Sequence, residues 1–131
     1  MSPFGAETPL FDRELYEELA VRAGQRAHTL AELAGQRARG ELDGDELCRE
    51  AVRELHGFAG EAQMMDLRDI GALAHDLELR LRGARQIDAA RGEQVGRWCA
   101  ALGSLVMASI DARSDALAGL RAEIDRAMPK T

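Results

Sequence analysis

Residues 55–78 read LHGFAGEAQMMDLRDIGALAHDLE, and they place one histidine, His56, directly before Gly57 and one helical turn before Gly60. A glycine inside a helix costs about 1 kcal/mol relative to alanine. The apolar residues nevertheless recur at helical spacing, and their stripe stays in phase across both glycines. We therefore predict that one helix runs through this segment rather than ending at Gly57. The stripe consists of Leu47, Ala51, Leu55, Phe58, Ala62 and Met65.

His56 falls beside this apolar stripe and not within it, so its imidazole is expected to be at least partly exposed. Gly60 presents no side chain, which would let another protein approach the imidazole closely. Departures from local sequence preference of this kind tend to fall at functional sites. The face of the helix that contains the histidine carries Arg49, Val52, Arg53, His56, Gly60 and Gln63.

The rest of the chain predicts further amphipathic helices separated by short polar turns. The first opens at Thr8 and Pro9, a cap residue followed by a proline at the first helical position. It continues to the polar segment at residues 39–44. Asp43, with Glu46 three residues later, is suited to cap the second helix, which contains His56.

Asp66 is suited to cap a third helix, and the short connection from Met64 to Leu67 predicts that the second and third helices pair antiparallel. A loop near residues 86–90 precedes a fourth helix, and Ser114 is suited to cap a shorter terminal helix that Pro129 ends. We predict an all-α fold, an up-down antiparallel four-helix bundle with an additional short C-terminal helix, as a single domain over residues 1–131. Positions expected to face its core include Leu15, Leu19, Ala23, Leu30, Ile70, Ala74, Leu77, Leu81, Ala84, Val95, Trp98, Leu102, Ile110, Leu117 and Ile124.

Composition favours a soluble helical protein that builds its core from apolar side chains. Hydrophobic residues make up 46% and charged residues 31% of the 131 positions, a balance that suits one compact domain. Cys48 and Cys99 lack C-x-x-C spacing and are expected to be free thiols in a reducing cytoplasm. Because no apolar run approaches the roughly 20 residues that cross a bilayer, we predict a cytoplasmic chain without membrane contact.

Charge argues against a nucleic-acid partner. The formal net charge is -6, and the basic residues are scattered among acidic ones, whereas a nucleic-acid interface needs a clustered basic surface. The longest basic stretch is LRLRGAR at residues 79–85. We interpret it as a solvated helix end, where arginines suit the helix dipole.

The spacing that starts at His56 resembles the signature of histidine phosphotransfer (HPt) domains, roughly H-x-L-K-G-x-A followed by a second helix that closes on L-E. The wording GEA-x-MM is particularly similar to the N-terminal phosphoacceptor domain of chemotaxis-type histidine kinases. Ala59 departs from the pattern, since the family usually has lysine there, and Asp66 stands where glycine is common. The matching residues are His56, Phe58, Gly60, Ala62, Met65, Ile70, Ala74, Leu77 and Glu78.

This resemblance implies that His56 accepts a phosphoryl group and passes it to an aspartate of a response-regulator receiver domain in a two-component phosphorelay. It implies two partners, a receiver domain and a histidine kinase ATP-binding domain, and it places Mg²⁺ and ATP only on those partners. No cofactor or metal is expected on this chain, which would be a phosphotransfer intermediate and no enzyme by itself. It could be free-standing or part of a larger kinase. Histidine suits the role because an unperturbed pKa of about 6.5 leaves a nucleophilic lone pair at neutral pH.

Other residues on the His56 face are candidates to support the phosphoryl group in place of the lysine that Ala59 replaces. Arg53, one turn before the histidine, is the first candidate because arginine pairs well with phosphate oxygens, and Arg49 is the second. Gln63 could donate a neutral hydrogen bond. The reading in which both arginines are ordinary surface residues stays open.

The two other histidines are weaker candidates for the chemistry. His75 is followed one turn later by Leu79, so it lacks the bare neighbouring position that Gly60 provides for His56. We interpret it as a flanking or helix-contact histidine. His28 lies on the first helix with nothing nearby that suggests chemistry, and the chain lacks the Glu-x-x-His repeats that build metal centres in helical bundles.

Two further readings of function remain. In one, the missing lysine marks a degenerate HPt-like docking module that binds and regulates a receiver or kinase without being phosphorylated. In the other, the chain is a purely structural or dimerising bundle, which explains the amphipathic stripes but not an exposed His56 beside Gly60.

Overall fold

The computed structural model describes residues 10–130, with side chains from residue 13 onward. Over this range the chain is all-helical and has no strand, as the sequence predicts. The predicted start of the first helix at Thr8 and Pro9 lies outside the described residues. The helices are α1 (Leu10–Ala38), α2 (Gly44–Met64), α3 (Arg68–Ala84), α4 (Ala89–Leu105) and α5 (Ile110–Ala127).

Helix α2 runs without a break through both glycines, which confirms the prediction from its apolar stripe. Gly57 makes room for the guanidinium of Arg26, since a Cβ at this glycine would lie 2.9 Å from the nearest nitrogen. Arg26 reaches across from α1 and pairs with Glu54 at 3.1 Å and Glu61 at 2.6 Å. The bare position at Gly57 therefore lets an ion-pair network join α1 to α2. The buried stripe consists of Leu47, Ala51, Leu55, Phe58 and Ala62, with Met65 half-buried.

Helix α1 packs mainly against α4, and α2 packs mainly against α3. Glycines let α1 and α4 approach closely. A Cβ at Gly92 would lie 3.2 Å from the Cβ of Ala34, and a Cβ at Gly103 would overlap the side chain of Ala23. Trp98 of α4 is buried and donates its indole N–H to the carboxylate of Glu123 on α5.

Three positions predicted to face the core do not. Leu15 is exposed because α1 has 29 residues and α4 has 17, so the N-terminal part of α1 extends beyond the end of α4. Ala84 is exposed as the last residue of α3. Ile110 is exposed and begins α5 instead of continuing the fourth helix.

Among the helix caps predicted within the described residues, only that of α2 is correct in position. Asp43 is the N-cap residue of α2, although its side chain makes no capping hydrogen bond. Asp66 does not cap α3, because the N-cap residue is Leu67 and Asp66 stands in the preceding turn with a φ of 61°. Ser114 lies inside α5, whose N-cap is Ser109. Helix α5 consequently has 18 residues against 17 in α3 and 17 in α4, so the prediction of a short terminal helix is wrong.

Both cysteines are buried free thiols. Cys48 donates a hydrogen bond to the carbonyl of Leu81 at 3.0 Å. Burial raises the pKa of the Cys99 thiol to about 12. None of the described helices is both long and apolar enough to cross a bilayer.

Candidate functional site around His56

Helices α2 and α3 pair antiparallel, and this pairing sets His56 opposite Glu78. The turn between the helices centres near Leu67, at equal sequence distance from the two residues. His56 Nδ1 lies 3.2 Å from Glu78 Oε1. Gly71 permits the close approach, because a Cβ there would lie 3.3 Å from the carbonyl oxygen of Ala59. A short turn and a glycine contact thus bring the histidine and the carboxylate into hydrogen-bond contact.

The imidazole of His56 is open to solvent, as predicted, with 72% of its side chain exposed. Its Nδ1 atom faces Glu78, whereas Nε2 has no hydrogen-bond partner within residues 13–130. Gly60 widens the opening, since no side chain or neighbouring element lies within 4 Å of the place where its Cβ would be. The second ring nitrogen is therefore accessible to another molecule.

The carboxylate of Glu78 is only 3% exposed, yet both of its oxygens have partners. Two guanidinium nitrogens of Arg82 lie 2.9 Å from Oε2, and Nδ1 of His75 lies 3.6 Å from Oε1. Burial alone would raise the pKa of Glu78, but the hydrogen bonds from Arg82 and His56 outweigh it and hold that pKa below its ordinary value. Glu78 is therefore an anion at neutral pH.

The charge of Glu78 fixes which ring nitrogen of His56 bears the proton. A carboxylate anion can only accept hydrogen bonds, so the proton of the contact lies on Nδ1. In the neutral imidazole the lone pair is then on Nε2, the nitrogen that faces solvent. A buried acceptor that orients a histidine in this way is a common means of presenting a nucleophilic nitrogen.

Arg53 and Arg49 lie on the exposed face of α2 with His56, as predicted, but neither guanidinium contacts the imidazole. Arg53 pairs with Glu50 at 3.3 Å, and Arg49 pairs with Asp45 at 3.0 Å. Exposed pairs of this kind contribute about 0–1 kcal/mol, so they hold the arginines only weakly. Both guanidinium groups can therefore reach a new anion at little energetic cost.

Gln63 and Ala59 are not gathered around the imidazole. The side chain of Gln63 packs beside Gly71, where a Cβ would lie 2.9 Å from its Cγ. Two helical turns, or about 10 Å along the axis, separate Gln63 from His56. Ala59 is 4% exposed and belongs to the interface of α2 with α3. Position 59 therefore contributes no polar group to the surface around the histidine.

Sequence reasoning missed the cluster that Glu78, Arg82 and His75 form with His56. The sequence indicates Glu78 only as the closing residue of a motif and His75 only as a flanking histidine. The available signal was the equal distance of His56 and Glu78 from the short turn, since such residues face each other in an antiparallel helix pair. His28 lies apart from the cluster, on α1.

Comparison with known proteins identifies no relative. No protein-family model matches the chain, and no curated protein or solved structure matches it.

Proposed function

We propose that the chain is a phosphoryl carrier of the histidine phosphotransfer type. His56 accepts a phosphoryl group on Nε2 and passes it to an aspartate of a receiver domain in a two-component pathway. One observation carries the proposal: the exposed imidazole uses Nδ1 to bond the buried carboxylate of Glu78. This contact leaves Nε2 as the nitrogen available for reaction.

Phosphoryl transfer to Nε2 requires no acidic or basic group other than His56 and Glu78. Nε2 attacks the phosphorus of an activated phosphoryl group, so an N–P bond forms while the bond from phosphorus to the leaving oxygen breaks and the oxygen takes its electron pair. Positive charge develops on the ring beside the anionic Glu78, which stabilises it. In the onward step a receiver carboxylate oxygen attacks phosphorus, and the N–P bond breaks to return a neutral imidazole.

The turn after α2 supports the family resemblance. Asp66 adopts a φ of 61°, a left-handed conformation that favours glycine and that aspartate tolerates better than most residues. HPt domains commonly have glycine at this position, so the substitution is compatible with the same turn. Gly60, whose missing side chain no packing contact explains, is compatible with a surface that a partner approaches.

The short connections between helices support the up-down bundle that the family resemblance implies. Consecutive helices are joined by residues 39–43, 65–67, 85–88 and 106–109, and connections this short favour antiparallel neighbours. We infer that α1 to α4 form an up-down antiparallel bundle and that α5 is added against α3 and α4.

The proposed partners supply the phosphoryl group and accept it from His56. A histidine kinase ATP-binding domain or a phosphorylated receiver supplies the phosphoryl group, and a receiver accepts it. Mg²⁺ and ATP are bound by those partners, while this chain supplies the imidazole and its carboxylate. The proposed setting is the cytoplasm, with the chain either free-standing or part of a larger kinase.

Reaction with phosphoramidate tests the proposal without any partner protein. Phosphoramidate transfers its phosphoryl group to an imidazole nitrogen and releases ammonia, so the P–N bond of the reagent is exchanged for one to His56. We expect intact mass spectrometry to show one added phosphoryl group that acid removes and base does not. His56→Gln should abolish the adduct, whereas the matched change His75→Gln should leave it. An adduct that persists in His56→Gln would refute the proposal.

The non-phosphorylated docking module is the second candidate, and Ala59 is the observation that favours it. Position 59 is buried in the helix interface and brings no cation to His56. This reading predicts no acid-labile adduct on wild type, together with binding to a receiver domain that His56→Gln does not weaken.

A further inference from the structure

A groove of about 700 Å³ lies between α2 and α3, on the N-terminal side of His56 along α2. Arg49 and Arg53 of α2 form one rim, and Arg82 and Arg85 at the end of α3 form the other. The lining spans about 16 Å along α2, from Asp45 to His56, at 1.5 Å per residue. Its floor is apolar, with the half-buried Val52 at the surface and the buried Leu81 beneath it.

Arginine side chains line the groove on a chain that is acidic as a whole. The whole chain has a formal net charge of -6, yet the lining includes four arginines and only one carboxylate, Asp45. Three of the four arginines pair within the chain: Arg49 with Asp45 at 3.0 Å and Glu46 at 4.0 Å, Arg53 with Glu50 at 3.3 Å, and Arg82 with the buried Glu78 at 2.9 Å. The pairs of Arg49 and Arg53 are exposed and readily exchanged for another anion. The positive charge that the groove offers a ligand therefore comes from Arg49, Arg53 and Arg85.

The side chain of Arg85 is the most available of the four arginines for a new ion pair. No ion pair joins it to any residue in the described part of the chain, and it is the C-cap residue of α3 with a φ of 66°. Glycine is the usual residue in this left-handed position, because a side chain there is strained.

We infer that this groove is the docking site for an acidic amphipathic segment of the protein partner that exchanges phosphoryl groups with His56. The inference rests on the proposed function, because it names the chemistry of the partner that approaches the histidine. Carboxylates of the segment pair with Arg49, Arg53 and Arg85, and its apolar side chains cover Val52. The length of the groove suits two to three turns of a helix, at about 5.4 Å per turn. Residues 79–85, interpreted from sequence as a solvated helix end, thus supply one side of a binding surface.

The test is fluorescence anisotropy with a labelled synthetic helix of glutamate and leucine, leucines on one face, titrated with the full chain. We expect saturable binding that weakens as salt is raised, and no binding of the same peptide with lysine in place of glutamate. Arg85→Glu should weaken binding by at least about tenfold, because it removes one charge-assisted contact and adds a repulsive one. Arg85→Gly, which relieves the left-handed strain, should weaken it less.

Arg126→Glu is the matched control, because it changes the net charge equally at an exposed site on α5. It should alter peptide affinity by less than about twofold. Equal losses in Arg85→Glu and Arg126→Glu, or failure of wild type to bind the acidic peptide, would overturn the docking site. Binding to phosphatidylserine vesicles with the same dependence on Arg85 would also overturn it, in favour of a membrane surface.

The reaction with phosphoramidate tests the phosphoryl-carrier function independently of the docking site. Phosphorylation of His56 without peptide binding removes the docking site alone. Peptide binding that depends on Arg85, without any phosphoryl adduct, supports the groove as a docking surface and removes the phosphoryl-carrier function.

Discussion

His56 and Glu78 are joined across the α2–α3 pair by a hydrogen bond of 3.2 Å between an exposed imidazole and an almost fully buried carboxylate. The burial of one partner and the exposure of the other are what distinguish this contact from an ordinary surface pair. The carboxylate is held in place by Arg82 and the protein interior, so the ring takes its orientation from the fold.

Glu78→Gln should slow the reaction of His56 with phosphoramidate by about 10- to 100-fold, the range found when a carboxylate that orients a metal-ligating histidine is lost. The amide can donate as well as accept, so it no longer fixes the Nδ1–H tautomer. The rate is measured by intact mass over time, and the tautomer by nitrogen chemical shifts of the ring. An unchanged rate with an unchanged tautomer would show that Glu78 has no orienting role.

Stability should fall when the pH is lowered through the range in which Glu78 is protonated. Its folded pKa lies below the unfolded value of about 4.3, because hydrogen bonds from Arg82 and His56 outweigh the effect of burial. The stabilisation is therefore complete above the unfolded pKa and is lost as the pH falls through the folded pKa. Urea unfolding at a series of pH values should show a smaller decline for Glu78→Gln than for wild type. Glu17→Gln, at an exposed position on α1, should retain the wild-type decline.

Gly60→Ala should stabilise the protein by about 0.5–1 kcal/mol, because it replaces a helix-interior glycine where the new methyl group meets open space. Urea unfolding measures the gain. The small methyl should leave the phosphoramidate rate unchanged. Gly60→Trp should likewise leave the phosphoramidate rate unchanged but hinder phosphoryl transfer from His56 to a receiver protein. Equal transfer rates for Gly60→Ala and Gly60→Trp would refute a role of Gly60 in the approach of a partner to His56.

Gly71→Ala should have the opposite effect on stability and lower it by about 1–3 kcal/mol, the usual range for overpacking. The added Cβ would lie 2.9 Å from Gln63 Cγ and 3.3 Å from the backbone oxygen of Ala59, so α2 and α3 must separate. Because that separation lengthens the His56–Glu78 contact, the phosphoramidate rate should fall as well. A stable variant with the wild-type rate would contradict this account of the helix contact.

Periodicity in the sequence predicted the continuous α2 and the exposure of His56, because both depend on which residues share a helix face. It did not predict that Ser109 rather than Ser114 caps α5, since both serines precede plausible apolar stripes and only packing selects one. The contact of Glu78 with His56 depends on how α2 and α3 are aligned, which a pattern within one helix does not encode. For the same reason, the sequence predicts only a solvated helix end for the arginines of residues 79–85. The alignment of α2 with α3 is what places Arg49 and Arg53 on the opposite side of the groove.

The hydrogen bond from Trp98 to Glu123 gives the protein an internal optical reporter. Trp98 is the single tryptophan of the chain, and its indole joins α4 to α5 on elements that do not include His56. The fluorescence emission of Trp98 therefore reports whether α5 is packed against α4, independently of modification of His56. Detachment of α5 would shift that emission to longer wavelength even while α2 and α3 stayed paired.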